Sequence, residues 1–176
     1  MSKILIVGQQ ADGKLNSGIA KVVAAAKVIG GDIHVAIFST DGSTVAAEAA
    51  KLDGVTKVLV VDRAENDHAL AARVAPQVVA LAQQGYTHVF AAGNTFGKDL
   101  MPRVAAKLGA PQVSDVMAVH SATSFDRPIY AGNAITTVEA PATPAIVATI
   151  RLASFTAVGA GGSAAVEKIN IEATLP

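Results

Sequence analysis

The chain has 176 residues, enough for one domain with a core that needs no covalent staples. Hydrophobic residues make up 51% and charged residues 16%, which excludes intrinsic disorder, and fourteen Lys and Arg balance fourteen Asp and Glu with no basic run, which argues against nucleic acid as a partner. The absence of Cys removes disulfide frameworks, iron–sulfur sites, thiolate zinc and cysteine catalysis, and 4% aromatics leave no stacking platform for bases or sugars.

Met1-Ser2-Lys3 leads directly into Ile4-Leu5-Ile6-Val7, too short a run for a signal-peptide core. No apolar stretch reaches membrane-spanning length. The expectation is a soluble cytoplasmic protein of a bacterium, with no membrane insertion.

Lys3–Gly8, Asp32–Ser39, Lys57–Asp62 and Thr87–Ala92 are nearly continuous apolar runs, the pattern of strands buried on both faces. Helices alternate with them. The first is expected from Ser17 to Ile29, with Ile19, Val22, Val23, Ala26 and Ile29 on one stripe and Gly30-Gly31 as its stop. A short one covers Thr44–Leu52. A third runs from Asp67 to Gln84 with Leu70, Val74, Val78 and Leu81 inward and Pro76 bending it. A fourth starts near Phe96 and ends at Gly109, with Leu100, Val104 and Leu108 inward.

The alternation predicts a three-layer α/β/α fold around a mostly parallel sheet. After about residue 111 the pattern changes. Gln112–His120, Pro128–Ala131, Ala134–Ala140 and Ala145–Ser154 read as strands on short turns, so antiparallel strands are expected to be added there. Residues 3–158 are expected to form the single domain. Residues 159–176 read as a linker and tail: Gly159-Ala160-Gly161-Gly162-Ser163-Ala164 is flexible in composition, and Ile169 and Ile171 alternate like a lone strand.

Candidate chemistry is sparse. Gly8-Gln9-Gln10-Ala11-Asp12-Gly13-Lys14 follows a strand and matches the first seven places of a phosphate loop. Leu15 stands where a Mg²⁺-binding hydroxyl is required, so the stretch reads as a glycine turn before a helix capped by Asn16-Ser17. Gly159–Gly162 has no βαβ unit after it and so no dinucleotide fingerprint. His34, His88 and His120 fall in strands and His68 at a helix start, none at metal-ligand spacing. Asp115 and Asp126 read as turn or cap residues. Gly93-Asn94-Thr95-Phe96-Gly97-Lys98 follows the fourth strand at the carboxyl edge of the sheet, where open α/β sheets bind ligands; the plainer reading is a turn capped by Thr95, with Gly97 for close packing. No catalytic, cofactor-binding or metal-binding residue is assigned.

Several stretches together resemble the alpha subunit of electron-transfer flavoprotein. They are Lys3–Val7 with Gly13-Lys14-Leu15-Asn16, Thr95–Leu108 (TFGKDLMPRVAAKL), Gln112–Val116 (QVSDV), Arg127–Ala134 (RPIYAGNA), and Ile150-Arg151 with Ser154-Phe155. The resemblance covers residues 3 to about 165. It implies an adenine nucleotide alpha hydrolase-like fold and a beta-subunit partner. It also implies a heterodimer that carries electrons through FAD from dehydrogenases, as in fatty acid beta-oxidation, to a quinone oxidoreductase. In the family FAD sits in a second domain whose motifs have no counterpart here, so this chain resembles the N-terminal domain alone, with no catalysis and no cofactor of its own. The alternative is a small adenine-nucleotide-binding domain of universal stress-like type, using the Gly8 and Gly93 loops.

Overall fold

The computed structural model describes residues 1–176. Its elements, in chain order, are β1 (Lys3–Val7), β2 (Gln10–Ala11), β3 (Lys14–Leu15), α1 (Ile19–Ile29), β4 (Asp32–Ser39), α2 (Ser43–Ala50), β5 (Lys57–Asp62), α3 (Ala71–Ala82), β6 (His88–Ala92) and α4 (Thr95–Leu108). Then follow β7 (Gln112–Val116), β8 (Ala118–Val119), β9 (Ser124–Ile129), β10 (Ala134–Glu139), β11 (Ile146–Ile150) and β12 (Ala165–Lys168).

Seven strands form the central sheet in the order β12-β5-β4-β1-β6-β11-β7, and every pairing in it is parallel. Period-two alternation divides each strand between two cores. Ile4, Ile6, Val35, Val58, Val60, Phe90 and Ile146 face α1 and α2. Leu5, Val7, Phe38, Leu59, Val89 and Val147 face α3 and α4. The three expected layers are therefore present.

The strands after residue 111 divide differently from expectation. β7 and β11 join the main sheet in parallel, whereas β8, β9 and β10 form a separate three-stranded antiparallel sheet. The expected strand Gln112–His120 is bulged at Asp115, whose φ of 60° coincides with a register shift between Ala148 and Ile150, and it divides after Val116 into β7 and β8. The expected strand Pro128–Ala131 begins earlier, at Ser124, and ends in a turn where Tyr130 and Ala131 have φ of 50° and 53°. Phe125 and Val119 bring the small sheet onto the α1–α2 core.

Three further expectations are corrected. Residues 159–164 are not a free linker: the Gly162 and Ala164 amides donate to the carbonyls of Lys51 and Ala50 at 2.9 and 3.0 Å. The lone strand lies at residues 165–168, where β12 pairs with β5 at the sheet's edge. In α3 the helix starts at Ala71 after a 3-10 turn at Ala64–Asp67, so Leu70 lies outside it and is exposed, while Val74, Val78 and Leu81 are buried as expected.

Phe125 is the only side chain of the small sheet with no exposure at all. Truncation to Ala is expected to cost about 3–5 kcal/mol by cavity formation, read as a lower midpoint in urea with an unchanged slope.

Candidate functional site

β1 lies between β4 and β6, and the chain moves outward through β4 and β5 before returning to β6 on the other side. The strand order therefore reverses between β1 and β6. The loops at their carboxyl ends, Gly8–Lys14 and Gly93–Lys98, border the crevice that open α/β sheets use for ligands. Both loops singled out from the sequence meet here.

The Gly8–Lys14 loop is a β-hairpin. Gln10 pairs with Leu15 and Ala11 with Lys14, and the two turn residues Asp12 and Gly13 have φ of 52° and 71°. Two successive positive φ angles define the type I′ turn, for which Asp-Gly is a preferred pair. The loop is thus not shaped to cradle phosphate, and the Leu15 amide is taken by Glu48 Oε2 of α2 at 2.8 Å. The helix that follows starts at Ile19; Asn16 Oδ1 accepts from the Gly18 amide and caps nothing further in.

The Gly93–Lys98 loop is closed by its own side chains. Asn94, rather than Thr95, caps α4: its Oδ1 accepts from the Gly97 amide at 3.1 Å. The Asn94 amide nitrogen donates across the crevice to Gln9 Oε1 at 2.5 Å. Gly97 has the packing role expected of it, since a Cβ there would lie 1.9 Å from the Ala92 carbonyl oxygen. The cap therefore takes the Gly97 amide, one of the donors that an anion at this helix N-terminus would use.

What remains open is a crevice of about 160 Å³, lined by Gly8, Gln10, Phe38, Asn66, Val74 and Phe96. Ligand pockets for drug-sized molecules hold about 300–1,000 Å³. The Asn66 amide nitrogen is engaged by the Val61 carbonyl and Gln77 Oε1, both at 3.2 Å. Two carboxylates also line the crevice, Asp12 in the hairpin turn and Asp67, and Asp67 is held by Arg73 at 3.1 Å.

The histidines do not converge on it. His34 Nδ1 lies 2.7 Å from the Tyr86 hydroxyl. Burial, then Lys3 and Lys57, holds His34 below its ordinary value, and burial pushes Tyr86 up to about 12. The contact is a buried hydrogen bond that ties β4 to the turn before β6. His88 Nε2 donates to the Ala122 carbonyl at 2.7 Å, and burial again lowers its pKa, against the pull of that carbonyl. Both are structural ties at the amino end of the sheet, opposite the crevice. His68 is exposed.

His120 lies just past β8 and pairs with Asp126 at 2.9 Å. Asp126 also accepts from the Thr137 hydroxyl, which first, and His120 second, lowers its pKa. Asp115 faces Arg151 at 3.5 Å. Both acids thus have partners that only the tertiary fold reveals. No group of three His, Asp or Glu side chains is placed to hold a metal ion. No helix is long and apolar enough to cross a membrane.

Two outcomes are expected. His34 and His88 titrate lower in the folded chain than the unfolded 6.5, so between those values the unfolded chain binds more protons. Stability conferred by the neutral rings is present above pH 6.5 and lost as pH falls through the folded values; a melting series should show this decline, flattened in His34→Gln/His88→Gln. Asn94→Ala removes the α4 cap and should cost about 1 kcal/mol in urea titration.

The model of the electron transfer flavoprotein domain matches residues 4–174. The chain is 46% identical over 168 residues to electron transfer flavoprotein subunit alpha of Pseudomonas aeruginosa, covering 95% of this chain and 54% of that protein. It is 44% identical over 164 residues to the same subunit of Paracoccus denitrificans, covering 93% and 52%. The probable mitochondrial subunit alpha of Caenorhabditis elegans is 38% identical over 168 residues, covering 95% and 50%. The chain thus spans about half the length of the curated relatives it matches. A parallel sheet whose switch-point loops are closed by their own side chains, matched to one family along nearly its whole length, belongs to the electron transfer flavoprotein domain family.

Proposed function

We propose that this chain is the interaction domain of an electron-transfer flavoprotein alpha subunit: a rigid base that pairs with a beta subunit and performs no catalysis itself. In the whole protein, FAD carries electrons from dehydrogenases to a quinone oxidoreductase, in the cytoplasm of a bacterium and in the service of fatty acid oxidation. The observation that carries this reading is the match over residues 4–174 at 46% identity to a bacterial alpha subunit.

The residues of this chain do not fit a flavin dinucleotide at the switch point. The crevice of about 160 Å³ is bordered by the Asn94–Gln9 hydrogen bond, and the Gly97 amide of α4 is taken by the Asn94 cap. A flavin supplies its own redox chemistry and needs position from the protein. The role left to this domain is to hold neighbours in place.

The small antiparallel sheet offers a surface suited to that. Tyr130 is 80% exposed and Ile135 60%, and Ile135 stands opposite Pro128 on the paired strand. Tyr130 and Ala131 hold left-handed backbone conformations that cost non-glycine residues energy. An exposed tyrosine beside aliphatic groups with polar neighbours is the composition of an interface anchor.

Titration calorimetry of this chain with its beta subunit is expected to show binding, weakened at least about tenfold by Tyr130→Ala. No heat at roughly tens of micromolar would remove the pairing. The purified chain should be colourless after desalting, and AMP should leave its melting temperature unchanged. A rise that scales with AMP concentration would favour the small nucleotide-binding domain instead.

A further inference from the structure

From Arg151 to Pro176 no residue is fully buried, whereas β5, the strand that β12 pairs with, has four buried residues in succession. Every residue of both buried cores lies between Ile4 and Ile150. The last part of the chain is laid over the domain instead of packed into it.

Its course can be followed by its bonds. The Val158 amide donates to the Ala20 carbonyl, and the Asp53 amide to the Gly159 carbonyl, so the chain crosses the α1–α2 layer. Gly162 and Ala164 then donate to the last carbonyls of α2. β12 follows, exposed at all four positions and paired on one side only. The Ile169 amide donates to the Val60 carbonyl at 2.9 Å, and Arg63 reaches the Ile171 and Ala173 carbonyls at 3.4 Å. Two ion pairs fasten β12: Lys168 with Asp62 at 2.9 Å and Lys57 with Glu167 at 3.2 Å. Of these acids Asp62 is the better shielded, at 19% side-chain exposure against 54% for Glu167. Asp62 also accepts from the Gly42 amide, which fixes its carboxylate.

We propose that residues 159–176 are a detachable belt: they open from the domain as one unit while the core between Lys3 and Ile150 stays folded, and the Lys168–Asp62 pair is the latch. The net gain from a backbone hydrogen bond is about the size of the entropy cost of ordering one residue. Without fully buried side chains the belt has only the partly buried Ala164, Ile169, Ile171, Ala173 and Leu175 to favour the closed state. The other edge of the sheet differs. There β7 contributes Val113 and Val116 to the core, so it opens only with the whole domain.

Opening bares the β5 edge and frees Asp62 and Arg63. It also lengthens the reach of the chain by roughly 3.5 Å for each residue released. In a two-part subunit this sets how far the second part can move from the first; that consequence, though not the opening itself, rests on the reading proposed above.

Native-state hydrogen exchange on this chain tests it, without the beta subunit, so that failure here and failure of pairing are separate results. Amides of residues 165–171 are expected to exchange at least about 100-fold faster than those of β1 and β6. Lys168→Met should speed the belt a further ~2–5-fold, the range of a single exposed ion pair, and leave β1 and β6 unchanged. Gly162→Ala should act alike by a route without charge, because a Cβ there would lie 2.3 Å from the Leu52 carbonyl oxygen. Belt amides exchanging as slowly as β1 overturn the proposal, as do substitutions that speed β1 and β6 equally. Unchanged belt exchange in Lys168→Met overturns the latch.

Discussion

Burial of β1 on both faces and both edges is the constraint from which the other features follow. Ile4, Leu5 and Ile6 have no exposure. Such a strand cannot alternate polar with apolar residues, and it cannot end a sheet. Its flanking strands β4 and β6 must lie parallel to it, because crossovers through helices are the connections that cover both faces. The helices then divide by face, α1 and α2 on one side and α3 and α4 on the other. Each successive strand inherits the same two-sided requirement until the edges are reached.

The same constraint creates the crevice and then explains its poverty. A central strand with neighbours placed in opposite directions leaves a gap where the loops diverge. In nucleotide-binding members of this architecture that gap holds the ligand. Here Asn94 caps its helix and spans the gap to Gln9 with one side chain. A single amide thus uses the anion-binding end of α4 and narrows the opening.

The buried strands could be read from the sequence because a run of four or five apolar residues is itself the signal of two-sided burial. Helix interiors were legible for the same reason, as with Val74, Val78 and Leu81. Three features were not. The Asp12-Gly13 hairpin was hidden by its likeness to a phosphate loop, although a two-residue Asp-Gly turn is itself a hairpin signal. Asn94 was passed over for Thr95, since both residue types cap helices and only the backbone angle chooses between them. The lone strand expected around Ile169 and Ile171 lies instead at Ala165–Lys168, because its place is fixed by pairing with β5, a contact between residues far apart in the chain. His120 with Asp126, and Asp115 with Arg151, are pairs of the same kind.

The two edges of the main sheet show how one architecture can be firm on one side and yielding on the other. An exposed edge strand invites pairing with other chains, and charge is one common protection. β12 carries Glu167 and Lys168 and needs no apolar side chain to stay soluble. That protection has a mechanical consequence. A strand whose side chains are all exposed adds little hydrophobic stabilisation, so its hold on β5 rests on backbone bonds and ion pairs that water and salt can replace. At the opposite edge β7 is anchored by Val113 and Val116, and the left-handed bend at Asp115 turns the chain away into the small sheet. The firm edge thus leads to the surface bearing Tyr130 and Ile135, and the yielding edge leads to Pro176.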